Sequence, residues 1–139
     1  MRKDELLKLA DLLETDAAKA DGIKFDLNYW AKPNKEGGPL TMDCGTAACA
    51  LGLAALSGKF PGLTIDIDFQ VPTFEQDGRT YSGTYAAVAY FQISEREADL
   101  LFLPDFYKFK QSKKAELEVA ARIRNLVATG VVSVVPFDS

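Results

Sequence analysis

Leu6, Leu9, Ala10 and Leu13 recur at helical spacing, and Leu7 and Leu12 widen the stripe, so the pattern predicts an amphipathic helix from about Lys3 to Ala17. After Gly22, the run Phe25-Asp26-Leu27-Asn28-Tyr29-Trp30 reads as a short, aromatic-rich helical turn or irregular segment with Trp30 as core anchor. P-N-K-E-G-G-P, between Pro33 and Pro39, has turn chemistry at nearly every position and predicts an exposed loop. A second helix is expected from Cys44 to Leu56, capped by Thr41 or Asp43 and stopped by Gly58 and Pro61. Its Cys49, Gly52, Leu53 and Leu56 share one side, and Ala48, Gly52 and Ala55 form a strip low enough for a neighbour to approach closely.

Leu63 to Phe69 alternates apolar and polar residues and predicts a half-buried strand. Val71–Glu75 and Arg79–Ser82 flank Gln76-Asp77-Gly78 as two strands about a turn, with Pro72 placing the first at an edge or bulge. Thr84 to Gln92 is apolar nearly all round, as in a buried helix. Ser94-Glu95-Arg96-Glu97 has capping-box form and opens a helix carrying Ala98, Leu101 and Phe102. A last helix is expected from Ser112 to Gly130, with Val119, Ala120, Ile123, Leu126 and Val127 inward and Glu118–Arg122 paired on its outer face. A final strand is expected over Val131 to Val135. The class expected is α+β and mainly α: a compact bundle of about five helices with a small antiparallel hairpin or sheet, in one domain over residues 1–139.

Composition narrows the functional classes. Twenty acidic against 16 basic side chains give a net charge of −4, which opposes nonspecific binding to phosphate backbones. The N-terminus has charges through its apolar positions, unlike a secretory signal, and no segment approaches a membrane span of about 20 apolar residues; a cytoplasmic location is expected. Only Cys44 and Cys49 are present, which excludes an intrachain four-cysteine zinc site. On one regular helix their Cα atoms would stand about 8.6 Å apart, beyond disulfide reach. No cofactor or metal is expected.

The segment Cys44-Gly45-Thr46-Ala47-Ala48-Cys49 carries the sharpest chemistry. A thiol at a helix start gains from the dipole, and Thr46 or backbone amides could stabilise an anion beside it. Asp43 opposes thiolate formation, and the chain contains no histidine to act as base. The same amides could cradle a phosphate, although the lysine of a P-loop is missing. Asp66 and Asp68, on one strand face, could bind a divalent cation or share a proton in acid-base chemistry, but no third carboxylate stands at motif spacing. Phe106-Tyr107-Lys108-Phe109-Lys110 interleaves rings and cations as a single-strand nucleic-acid surface does; the overall acidity favours a loop that seals the core with its rings. The residues from Ala86 to Phe102 have a helix-turn-helix look, but the second helix offers Glu95, Glu97 and Asp99 against one arginine, which would repel phosphate.

Trp30, Cys44-Gly45-Thr46 with Cys49 and Gly52, Ile93-Ser94 with Glu97, Ala98 and Leu101-Phe102, and Val119-Ala120-Ala121-Arg122-Ile123-Arg124 occur in an order that resembles a loose group of small, functionally uncharacterised bacterial and phage proteins. The resemblance covers about two-thirds of the chain. It implies a compact, mainly helical domain and carries no reaction; Leu53 stands where an aromatic residue is expected in many relatives. The leading expectation is a non-enzymatic protein-interaction or accessory, host-modulating factor of bacterial or phage origin. Its partner would be another protein, with no specific nucleic acid and no membrane. Its working surface would combine the Pro33–Pro39 loop, the hairpin turn at Asp77-Gly78 and Phe106, Tyr107, Lys108, Phe109 and Lys110. Trp30, Cys49, Gly52, Leu53, Leu101, Phe102 and Ile123 form the expected core. The alternative is a small-ligand-binding or thiol-dependent enzyme centred on Cys44, with Thr46 and Asp43, at a helix N-terminus.

Overall fold

The computed structural model describes residues 1–133 and has an α+β architecture of five α-helices and two three-stranded sheets among them. Helix α1 (Lys3–Ala18) buries Leu6, Leu9 and Leu13 completely against α5 (Lys113–Thr129), whose Val119, Ala120, Ile123 and Leu126 are equally inaccessible. Periodicity alone locates this pair, because both helices keep one apolar stripe and a charged outer face. Arg124 fastens the outer seam to Asp11 and Glu14.

The first sheet was not foreseen. Strands β1 (Lys24–Phe25) and β2 (Ala31–Pro33) flank β3 (Thr46–Ala48), parallel on one side and antiparallel on the other. Residues 25–30 therefore form a strand end and a turn, the irregular one of the two forms expected and not the helical turn. Helix α2 (Ala50–Ser57) starts after β3, with Cys49 at its N-cap and no side-chain cap from Thr41 or Asp43. Alanine's helix preference, worth under about 1 kcal/mol per residue, yields here to backbone pairing on both sides of β3. Three small residues suit that position, since Thr46 and Ala48 are fully buried.

Gly52 explains how α2 reaches the sheet. A β-carbon there would lie 1.5 Å from the Trp30 carbonyl oxygen, so the close approach on this strip is made by the backbone of Trp30. The Trp30 ring is only half-buried and packs at the edge of the core; Phe60, Tyr90, Phe91 and Phe102 are its inaccessible aromatic centre. Those rings meet at centroid separations of 5.0–6.3 Å, within the range of favourable aromatic pairs.

The second sheet is an antiparallel meander of β4 (Leu63–Asp66), β5 (Val71–Gln76) and β6 (Arg79–Ser82). Strand β4 stops three residues short of the expected Phe69. Helices α3 (Thr84–Phe91) and α4 (Glu95–Phe102) follow as a hairpin, and the Ser94–Glu97 capping box is present in both directions. Glu118 and Arg122 pair at 3.2 Å as the spacing predicts, but inside the protein. Arg122 also donates to the Leu100 and Phe106 carbonyls and lies 3.7 Å from the Tyr107 ring centre, which supplies the partners a buried cation requires. The strand expected over Val131–Val135 extends outside the described residues; positions 131–133 are not in a strand.

Candidate functional site

An open cleft of about 670 Å³ lies where β1, β2 and β3 meet the start of α5. Its size falls within the range of small-ligand sites. The sheet builds it through two lateral rungs. Phe25, Ala48 and Ala31 pair across the strands and face the core; Lys24, Ala47 and Lys32 pair in the adjoining rung and border the cleft. Laterally paired residues share one sheet face, so two lysines flank a single methyl group. Lys113, in the first turn of α5, adds a third cation. Asp26 is the one carboxylate on the lining, and its oxygens already accept from the Asn28 amide and side chain and from Gln111 Nε2.

Cys44 also borders this cleft and is exposed, but it lies in a turn before β3 and not at a helix N-terminus. Its amide donates to the Asp21 carbonyl, and its own carbonyl accepts from Asn34 Nδ2. The other two members of the expected thiol site are committed elsewhere. Thr46 is buried, with its hydroxyl accepting from the Thr41 amide at 2.6 Å. Asp43 accepts from Thr41 Oγ1 and from the Gly45 amide, bonds that hold its carboxyl below the usual range. Thus the geometry replaces the helix-start thiol with a turn braced by Asp43. Cys49 is fully buried beside the Trp30 carbonyl, and burial pushes its thiol up to about 11, so it is neutral near pH 7. Both cysteines are free.

Behind the cleft wall lies a pair that sequence reasoning missed. Asp16 accepts from the Ile23 amide at 3.2 Å, which ties the α1–β1 loop back to α1. Its second oxygen and both oxygens of Glu116 are buried and meet no donor from other groups. A proton on Glu116 supplies the missing hydrogen bond to Asp16; burial, then the neighbouring Asp16, pushes Glu116 up to about 10. No local pattern links positions 16 and 116, which explains why the pair was invisible in the sequence.

No family model matches the chain, and no curated protein or solved structure matches it either.

The remaining candidates separate in space and in role. Asp66 does not face outward with Asp68 as a ligand pair: its Oδ1 accepts from the amides of Asp68 and Phe69, closing the β4–β5 turn. Among the described residues no group of three His, Cys, Asp or Glu side chains could hold a metal. In the aromatic-basic run, Tyr107 is buried and donates its hydroxyl to the Leu101 carbonyl, so it belongs to the core and not to an interaction surface. Phe109 is half-buried, with Lys114 4.3 Å from its ring centre, while Phe106, Lys108 and Lys110 are exposed. Among the expected core positions, Cys49, Leu53, Leu101 and Ile123 are fully inaccessible and Phe102 nearly so.

Among the described residues the most exposed large apolar side chains are two that were expected on the buried face of a half-buried strand. Ile67 and Phe69 are each 81% exposed at the β4–β5 turn. That turn is fixed by the two bonds to Asp66 Oδ1, by a 2.7 Å bond from the Gln70 amide to the Asp66 carbonyl and by positive φ at Gln70. No helix among the described residues is long and apolar enough to cross a membrane.

Proposed function

We propose that the protein is a non-enzymatic interaction protein that engages another protein through the β4–β5 tip. The observation carrying this reading is the pair Ile67 and Phe69, held out by a hydrogen-bonded turn. Single exposed apolar residues are ordinary; two on a four-residue turn form a compact anchor whose ordering penalty is met before binding. Asp66 and Asp68 flank the anchor, so the complementary surface is an apolar pocket with a cationic rim, and an anionic lipid surface is disfavoured. The accessory or host-modulating role in a bacterium or phage, and a cytoplasmic location, are extensions carried by the sequence resemblance and composition.

A photoreactive amino acid placed at position 69, with a control at the exposed Tyr85, tests this in cells of the source organism. Covalent adducts to one heterologous protein from position 69, absent from position 85 and lost with Ile67→Ser, support the reading. Equal adducts from both positions, adducts only to a second copy of the chain, or none would overturn it.

A further inference from the structure

We infer that the cleft above β3 is a binding site for a small phosphomonoester. Lys24 and Lys32 are each the lateral partner of Ala47, so their Cα atoms lie roughly 10 Å apart, two strand spacings, with only a methyl group between them. Lysine side chains of that separation can close over one compact group, and the small floor leaves the space for it. Lys113 stands at the cleft edge, its ammonium donating to the Lys19 carbonyl at 2.7 Å. Against these three cations the lining offers only Asp26, whose oxygens are occupied. Such a concentration of positive charge in a chain of net charge −4 selects an anion locally.

The number and kind of cations choose the anion. Lysine ammonium groups act as point charges and suit a tetrahedral dianion with several oxygens; a monocarboxylate would leave two of the three unmatched. The cleft is larger than phosphate alone, and its other walls combine polar groups from Asn34, Gln111 and Ser112 with apolar and aromatic ones. The exposed Tyr29 supplies the aromatic surface, its ring 4.3 Å from the Lys32 ammonium, while Ile23 and Phe25 reach the lining only at the edge of their buried positions. The organic body of an ester would rest there. This site is independent of the β4–β5 tip, and its failure would leave the protein-interaction reading intact.

The test titrates the whole protein with inorganic phosphate, adenosine 5′-monophosphate, glucose 6-phosphate, succinate and a short single-stranded oligonucleotide, by calorimetry and amide chemical shifts. At least one phosphate ester should bind more tightly than inorganic phosphate or succinate, shift the amides of Lys24, Lys32 and Ala47, and weaken with added salt. Lys24→Gln with Lys32→Gln should weaken it by about tenfold or more, the equivalent of losing one charge-assisted hydrogen bond, without changing the thermal midpoint. Ala47→Leu, which fills the gap and leaves both charges, should block the ester; the lysine pair keeps the test decisive should that variant misfold. No ester binding at about 10 mM, succinate binding equally well, unchanged affinity in the double lysine variant, or an oligonucleotide binding more tightly than the ester would each overturn the assignment.

Discussion

The two sheets have three strands each and do opposite things with their side chains. The β1–β3–β2 sheet turns one rung into the core and uses small residues where α2 and the neighbouring strands crowd it. The β4–β5–β6 sheet ends in a turn that projects its largest apolar side chains into solvent. One sheet spends its apolar residues on stability, whereas the other keeps two of them for a surface. Hydrophobicity alone does not separate these uses; the backbone that carries each residue does.

Breaking the inner sheet should have the largest effect. Gly52→Ala puts a β-carbon against the Trp30 carbonyl, and backbone there has little room to retreat. The expected loss is about 3 kcal/mol or more, measured by denaturant unfolding. A variant with wild-type stability would show that α2 and β2 are not in this register.

Next comes the pair behind the cleft wall, where Asp16 faces Glu116 from α1 and Lys113 lies on Glu116's own helix. Because the folded protein keeps Glu116 protonated far above its ordinary value of 4.5, the native state holds a proton the unfolded chain releases. This contribution to stability is therefore complete below pH 4.5 and is lost as pH rises toward about 10. Glu116→Gln keeps a donor to Asp16 without the ionisation. It should stabilise the protein by about 2–5 kcal/mol at pH 8, the upper figure being the full linkage between pH 4.5 and 8, and by little at pH 4. A loss of stability at pH 8 would mean that the carboxyl is paired in its charged form.

A smaller effect distinguishes the two cysteines. Cys49→Ser buries a hydroxyl and should lower stability by about 1–2 kcal/mol, whereas exposed Cys44→Ser should change it by less than about 0.5 kcal/mol. Equal denaturant midpoints would contradict the burial of Cys49.

What could be read from the chain follows the same division. Long periodic segments were legible: α1 and α5 from their stripes, α4 from Ser94 and Glu97, and the β5–β6 hairpin from Asp77-Gly78. Strand β3 was not, because Thr46-Ala47-Ala48 has no alternation and its pairing partners lie far upstream, 17 residues for Ala31–Ala48 and 23 for Lys24–Ala47. The Cys-Gly-Thr segment consequently looked like a helix start. Alternation also ran three residues too far, through Ile67 and Phe69, where the side-chain pattern continues but Asp66 captures the amides that would extend β4. Of the cleft, Cys44 was singled out by its chemistry, while Lys24 and Lys32 were unremarkable until β3 brought them to either side of Ala47.

The central claim is that the outer tip is used for recognition and not for stability, and the Ile67→Ser, Phe69→Ser double variant tests it most directly. Its free energy of unfolding should stay within about 0.5 kcal/mol of wild type, while recovery of the protein crosslinked from a photoreactive residue at position 68 falls to background. A large loss of stability, or undiminished recovery of that adduct, would contradict the account.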